Sequence, residues 1–309
     1  MTPWIVLISY LIILLLIDIF ILHKKNRVTS VRRAIFETIF FISNALLFSV
    51  LIYWFYDKGL VNNINSLQPA QAVVKYLTGY LIELSLSVDN LFVIAIIFTS
   101  FKIPSQYQHK LLFLGILGAI IFRAILISVG LILLEKIHGM SIVFGLFLLF
   151  TAFKILKKET EFKEIEEPKG IVKLFRFSKV LDGEKYITKV NGKRVFTALF
   201  GALVTIEFTD LLFALDSIPA IFAVTTDPFI VYSSNIFAIM GLRSLYFFLS
   251  NMLEKFVYLK YSVFTILLFV SIKLMTASLI NIPEWFSLLF IGISLAMGIY
   301  ISTLNLKSK

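Results

Sequence analysis

Apolar residues in this chain come in blocks of about 20, each long enough at 1.5 Å per residue to cross a hydrocarbon core about 30 Å thick. With 59% hydrophobic and only 16% charged residues, the chain lies far from globular averages, which excludes soluble and disordered readings. The expected fold is an all-α polytopic membrane protein. Nine spans are predicted, at 3–22, 35–56, 76–99, 111–133, 139–156, 196–222, 229–250, 259–280 and 285–304.

Basic residues set the predicted orientation. The first span lacks a basic leader and is followed by Lys24, Lys25, Arg27, Arg32 and Arg33, so it reads as an outside-to-inside helix rather than a signal peptide. With the N-terminus outside, Lys and Arg divide 23 to 3 in favour of the cytoplasmic loops and the span ends beside them, and Arg123, Arg243 and Lys273 fall deeper within spans. An inside C-terminus follows. The formal charge of +10 therefore reports topology, and no nucleic-acid partner is expected. The chain has no cysteine, which removes disulfides, thiolate metal sites and cysteine nucleophiles together.

Two stretches share an ordered set of landmarks. Glu83, Asp89 and Asn90 in the third helix match Asp210, Asp216 and Ser217 in the sixth: an acid, five residues, an acid, then a small polar side chain. Pro104 and Pro228 follow, then Arg123 and Arg243, then two Leu-Glu-Lys triplets. Each copy holds three spans, helices 3–5 and 6–8, so the second must enter from the opposite side, an inverted-topology repeat of the kind found in secondary transporters. The chain divides into an N-terminal helix pair (1–75), repeat 1 (76–156), a cytoplasmic loop (157–195), repeat 2 (196–280) and a last helix with its tail (281–309). The loop is a connector carrying a predicted hairpin, Tyr186 to Phe196 around Asn191-Gly192.

Seven of the nineteen acids lie within predicted spans: Asp18, Glu37, Glu83, Asp89, Glu207, Asp210 and Asp216. A carboxylate at the bilayer centre costs at least about 2.5–3.5 kcal/mol, so five of them in two equivalent helices imply a ligand, partner or proton. Glu207 and Asp210 share a face, whereas a six-residue spacing splays Asp210 from Asp216 by about 120° on a regular helix. Pro219 is the expected helix break, freeing the Leu215 carbonyl. The candidate metal site is Glu83, Asp89, Asn90, Glu207, Asp210, Asp216 and Ser217, with Arg123 and Arg243 balancing charge. Such an oxygen-only set suits a hard divalent cation, Mg²⁺, Ca²⁺ or Mn²⁺. Asp18 and Glu37, near helix ends, are expected to snorkel to water, and His109 and His138 to be surface residues.

Glu83-Leu-Ser-Leu-Ser-Val-Asp89-Asn90, Phe101-Lys-Ile-Pro104, Glu207-Phe-Thr-Asp210 through Asp216-Ser217-Ile-Pro219 to Asp227-Pro228, and Ser234-Asn235 through Arg243 closely resemble the TerC family, from about the second helix to the eighth. The resemblance implies a manganese exporter of the cytoplasmic (bacterial inner) membrane, with the intramembrane acids matched at Glu83, Asp89, Glu207, Asp210 and Asp216. Mn²⁺ is then transported cargo, and no permanently bound cofactor is expected. An acid-lined site repels an oxyanion, so the family's tellurium-resistance phenotypes do not point to tellurite as cargo.

Exporting a dication from a negative interior costs about 4.6 kcal/mol per 100 mV, and the sequence has no Walker A motif, so proton influx is the expected energy source. The protein is not expected to be an enzyme; its partners are a divalent cation, protons and lipid. The alternatives are an exporter of Ca²⁺ or Mg²⁺, and a non-transporting membrane scaffold or stress-complex subunit acting through the 157–194 loop.

Overall fold

The computed structural model describes residues 2–22, 31–63, 65–157, 181–190, 193–250, 259–276, 279–280 and 282–306. Among them are ten α-helices and one hairpin. The helices are α1 (Thr2–Ile17, continued by a π-helical turn at Asp18–Leu22), α2 (Val31–Asp57), α3 (Pro69–Ser100), α4 (Ser105–Lys136) and α5 (Met140–Lys157). After the strands β1 (Ile187–Val190) and β2 (Lys193–Phe196) come α6 (Ala198–Phe222), α7 (Pro228–Met240), α8 (Leu242–Ser250), α9 (Leu259–Met275) and α10 (Glu284–Leu306). The chain is an all-α membrane protein. Helices α1, α2, α4, α6 and α10 are each long and apolar enough to span a bilayer, and α5 and α9 are shorter apolar helices. Ile5, Phe20, Leu47, Val50, Ile121 and Phe150 are all more than 60% exposed, an apolar surface that lipid covers at no cost.

Two expectations need correction. The span predicted at 229–250 is two helices, interrupted at Gly241 between Met240 and Leu242. Glycine is a weak helix former, and the interruption is slight: Leu245 still donates to the Gly241 carbonyl at 3.0 Å. The expected break at Pro219 does not occur, because α6 runs through it to Phe222. So close to the helix end, proline forfeits one ladder bond, and Ala223 resumes bonding to the Pro219 carbonyl at 3.2 Å.

The predicted hairpin forms, with Ile187 opposite Phe196 and Val190 opposite Lys193; its tip, Asn191-Gly192, lies outside the described residues, as does most of the loop before it. Thr197 ties the hairpin to α6: its N–H donates to the Tyr186 carbonyl at 3.0 Å, its hydroxyl donates to the Lys185 carbonyl at 2.8 Å, and its hydroxyl oxygen accepts from Phe200 N–H at 3.5 Å. Lys110 of α4 pairs with Glu184 at 2.7 Å. The hairpin is thus fastened where α4 and α6 begin.

Side-chain contacts fix the helix directions. Lys75, early in α3, donates to the Val224 carbonyl just past α6 at 3.0 Å, so α3 and α6 run antiparallel. Helices α4 and α6 run parallel: Gly115 faces Ile206, Gly118 faces Glu207 and Gly130 faces Phe222. Absent side chains at these three glycines let the helices approach closely, the usual means of packing helices in lipid. Trp4 meets Phe229 at 5.2 Å between ring centroids, Tyr10 meets Phe237 at 5.6 Å, and Asp18 pairs with Arg243, so α1 runs alongside α7 and α8. The second three-helix set therefore runs opposite to the first, and partners are exchanged between them: α3 packs on α7, α4 on α6, and α5 on α9.

Candidate functional site: a buried arginine between two carboxylates

Arg123 lies near the middle of α4, 1% exposed, where α3, α4 and α6 converge. Its guanidinium is the hub of the predicted acids. Nε donates to Asp210 Oδ2 at 3.2 Å and Nη2 to Asp210 Oδ1 at 3.0 Å, a two-pronged contact that matches the planar fork to the carboxylate. Nη1 donates to Glu83 and, at 3.2 Å, to Ser217 Oγ. Asn235 of α7 donates from Nδ2 to the other oxygen of Glu83 at 2.9 Å. Glu83 is fully buried, and the Asp210 side chain is 15% exposed.

The fold makes this meeting possible through small residues. A Cβ on Gly79 would lie 2.8 Å from Ser234 Oγ, so α3 and α7 approach closely one turn before Glu83 and beside Asn235. The close approach brings Glu83 to Asn235. On the other side, the glycine-lined contact of α4 with α6 brings Arg123 to Asp210. Two carboxyls facing one guanidinium leave a formal deficit of one positive charge when both are ionised, which one bound proton would make good in low dielectric.

The other predicted residues are distributed around this hub. Glu207, one turn before Asp210, lays its carboxylate against Gly118, and its buried Oε2 has no hydrogen-bond partner. Asp216 faces away as the six-residue spacing requires, accepting from Thr151 Oγ1 of α5 at 3.0 Å. Asn90 is buried on α3. The side chain of Asp89 lies outside the described residues. Among the described residues, no three His, Asp or Glu side chains are grouped so as to hold a metal ion.

Arg243 pairs with Asp18, and its guanidinium carbon sits 5.9 Å from the centre of the Phe113 ring. Asp18 therefore does not snorkel: it is 2% exposed, in the π-helical turn that ends α1. Glu37 is also buried, and accepts from Arg33 Nε at 2.9 Å. His109 is not a surface residue either; it is buried and stacks on Phe247 with ring centroids 3.7 Å apart, whereas His138 is exposed.

Asn235 and Thr151 are the polar residues of the site to which sequence reasoning gave no role, and Asp18 is one that it misjudged. Asn235 and Thr151 are uncharged and have no counterpart among the repeated landmarks. The signal for Asp18 was present, an acid inside an apolar block, but its partner lies 225 positions along the chain.

The chain matches the integral membrane protein TerC family over residues 68–309. It is 42% identical over 305 residues to an uncharacterized membrane protein of Rickettsia felis, covering 98% of this chain and 97% of that one. An uncharacterized membrane protein of Myxococcus xanthus is 39% identical, covering 98% and 92%. A Salmonella typhi protein described as a candidate membrane-bound redox modulator, Alx, is 38% identical over 96% of this chain and 89% of its own. No solved structure matches. A buried, charge-bearing network at the crossing of two oppositely directed three-helix sets is thus carried by a chain that belongs to the TerC family of integral membrane proteins.

Proposed function

We propose that this protein exports a divalent metal cation, Mn²⁺ foremost, across the cytoplasmic membrane in exchange for protons. One observation carries the reading: Glu83 and Asp210, the first acids of the two motif copies, meet at a single buried guanidinium between antiparallel helices. Transporters built from inverted repeats place their sites at such a junction. Glu83, Asp89, Asn90, Glu207, Asp210, Asp216 and Ser217 supply the oxygen ligands along the path, and rocking of one three-helix set against the other alternates access. Protons that leave the carboxyls as metal arrives couple the two fluxes. The nine-span topology, with the N-terminus outside and the hairpin in the cytoplasm, belongs to the same proposal. A direct thiol-based redox role has no side chain to act through, since the chain contains no cysteine.

The test is ⁵⁴Mn²⁺ uptake into proteoliposomes under an imposed pH gradient, with Ca²⁺ and Mg²⁺ as competitors. Transport by the wild type, lost in Glu83→Gln and Asp210→Asn with folding intact, is the expected result. If no divalent cation moves under any gradient, the export reading falls and a membrane scaffold takes its place.

A further inference from the structure

We propose that the Arg123 guanidinium is the resident cation of this site, and that a divalent metal binds only by displacing it. The inference rests on the export reading above and adds how the site selects its cargo.

All three guanidinium nitrogens are engaged, with two carboxylates and the Ser217 hydroxyl, and the side chain is 1% exposed. Both oxygens of Asp210 and one oxygen of Glu83 are therefore occupied by Arg123, and the other Glu83 oxygen by Asn235. A dication cannot share them with a guanidinium at contact distance, because like charges in a low-dielectric site repel strongly. Occupancy is consequently an exchange of one cation for another. A tethered arginine is well suited to it: the charge is permanent, and the long side chain can withdraw without moving its helix. The acid positioned to receive it is Glu207, one turn from Asp210, whose buried Oε2 has no hydrogen-bond partner.

Selectivity follows from charge arithmetic. A monovalent ion that replaces the guanidinium gains no charge at the two carboxylates and forfeits the donors of the fork. A divalent ion gains one unit. The resident arginine therefore excludes Na⁺ and K⁺ from a site whose carboxylates alone would attract them. It also weakens apparent metal affinity by the fraction of time the acids are free.

The experiment is Mn²⁺ binding to the purified full-length protein in lipid nanodiscs, followed by the electron paramagnetic resonance signal of free Mn²⁺. Wild type, Arg123→Gln and Arg123→Lys are compared, each with and without excess Na⁺. If the guanidinium occupies the acids for nine-tenths of the time or more, Arg123→Gln lowers the Kd for Mn²⁺ about tenfold or more. Its binding becomes sensitive to Na⁺, while wild-type binding does not. Arg123→Lys, which keeps the charge but loses the fork, shifts affinity in the same direction by less, and serves alone if Arg123→Gln does not fold. A purely structural arginine would move neither the sign of the affinity change nor the Na⁺ response. A folded variant that binds Mn²⁺ as weakly as wild type, or more weakly, overturns the inference and leaves the export reading standing. If wild type and variants bind no Mn²⁺, Ca²⁺ or Mg²⁺, the export reading itself is overturned.

Discussion

Arg123 and Arg243 hold equivalent places in the two copies of the repeat, and both are buried and ion-paired. Their partners differ. Arg123 reaches across the junction and binds the first acid of each copy, whereas Arg243 pairs with Asp18 on α1, a helix that belongs to neither copy. Matching sequence has been put to unlike uses: one arginine joins the two halves at their shared centre, and the other fastens the second half to an added helix. The asymmetry arises because α1 lies along α7 and α8 and offers an acid there, beside the interruption at Gly241. A duplicated motif thus does not guarantee a duplicated site.

The strongest way to break this comparison is to remove each arginine. Arg123→Met leaves Glu83 and Asp210 uncompensated and is expected to destabilise the protein by about 3–5 kcal/mol, read as thermal unfolding in detergent. Arg243→Met should cost a similar amount, but Asp18→Leu combined with Arg243→Met should recover most of it, since replacing an entire buried pair with apolar groups is often neutral or stabilising. No such recovery is expected from Glu83→Gln with Arg123→Met, because Asp210, largely buried, is left without its cation. Equal recovery in both double variants would make the two arginines equivalent after all.

Smaller changes sharpen the picture of the centre. Gly118→Ala places a methyl group on the Glu207 carboxylate and is expected to cost about 1–3 kcal/mol. The same substitution at Gly292, inside α10 where a Cβ meets nothing, should raise the unfolding temperature slightly, because alanine is the better helix former. Asn235→Ala strips Glu83 Oε2 of its donor and should cost about 1–3 kcal/mol of stability and lower Mn²⁺ transport in proteoliposomes.

The smallest expected effect is at the far end of the bundle from the hairpin. Asp227 caps α7 by accepting from Phe229 N–H at 3.0 Å and Ile230 N–H at 3.3 Å, while burial pushes its carboxyl above the ordinary carboxylate range. A folded-state value above the unfolded one means that its stabilisation is full below the unfolded value and is lost as pH rises through the folded one. A scan of unfolding temperature from acid toward neutral should show that decline, and Asp227→Asn, which retains a capping oxygen, should flatten it. An unchanged slope in the variant would assign the pH dependence elsewhere.

Much of the fold was legible because its causes are local. Span length and apolar content need no partner to be read, and the hairpin declared itself through alternation around Asn191-Gly192. The landmarks shared by the two copies anticipated oppositely directed helices, and the first helices of the two sets, α3 and α6, run antiparallel through the Lys75 to Val224 contact. The splay of Asp210 from Asp216 followed from helical periodicity, and Arg123 and Thr151 now receive them on different faces. The misjudged residues, Asp18, Glu37 and His109, share one cause. Each lies near a helix end, where exposure depends on whether a neighbouring helix covers it. A covering helix is a tertiary fact without a local signature.

By itself the sequence determined that this chain lives in lipid, that its helices include two related sets, and that acids are concentrated where those sets correspond, because hydropathy, periodicity and repetition are written along one dimension. Only the tertiary structure decided which acid meets which cation. Pair choice depends on glycine-lined helix approaches, at Gly79 to Ser234 and Gly118 to Glu207, that set side chains from distant segments within hydrogen-bond reach. A difference of a few ångströms in such an approach decides whether a buried carboxylate finds an arginine or stands alone.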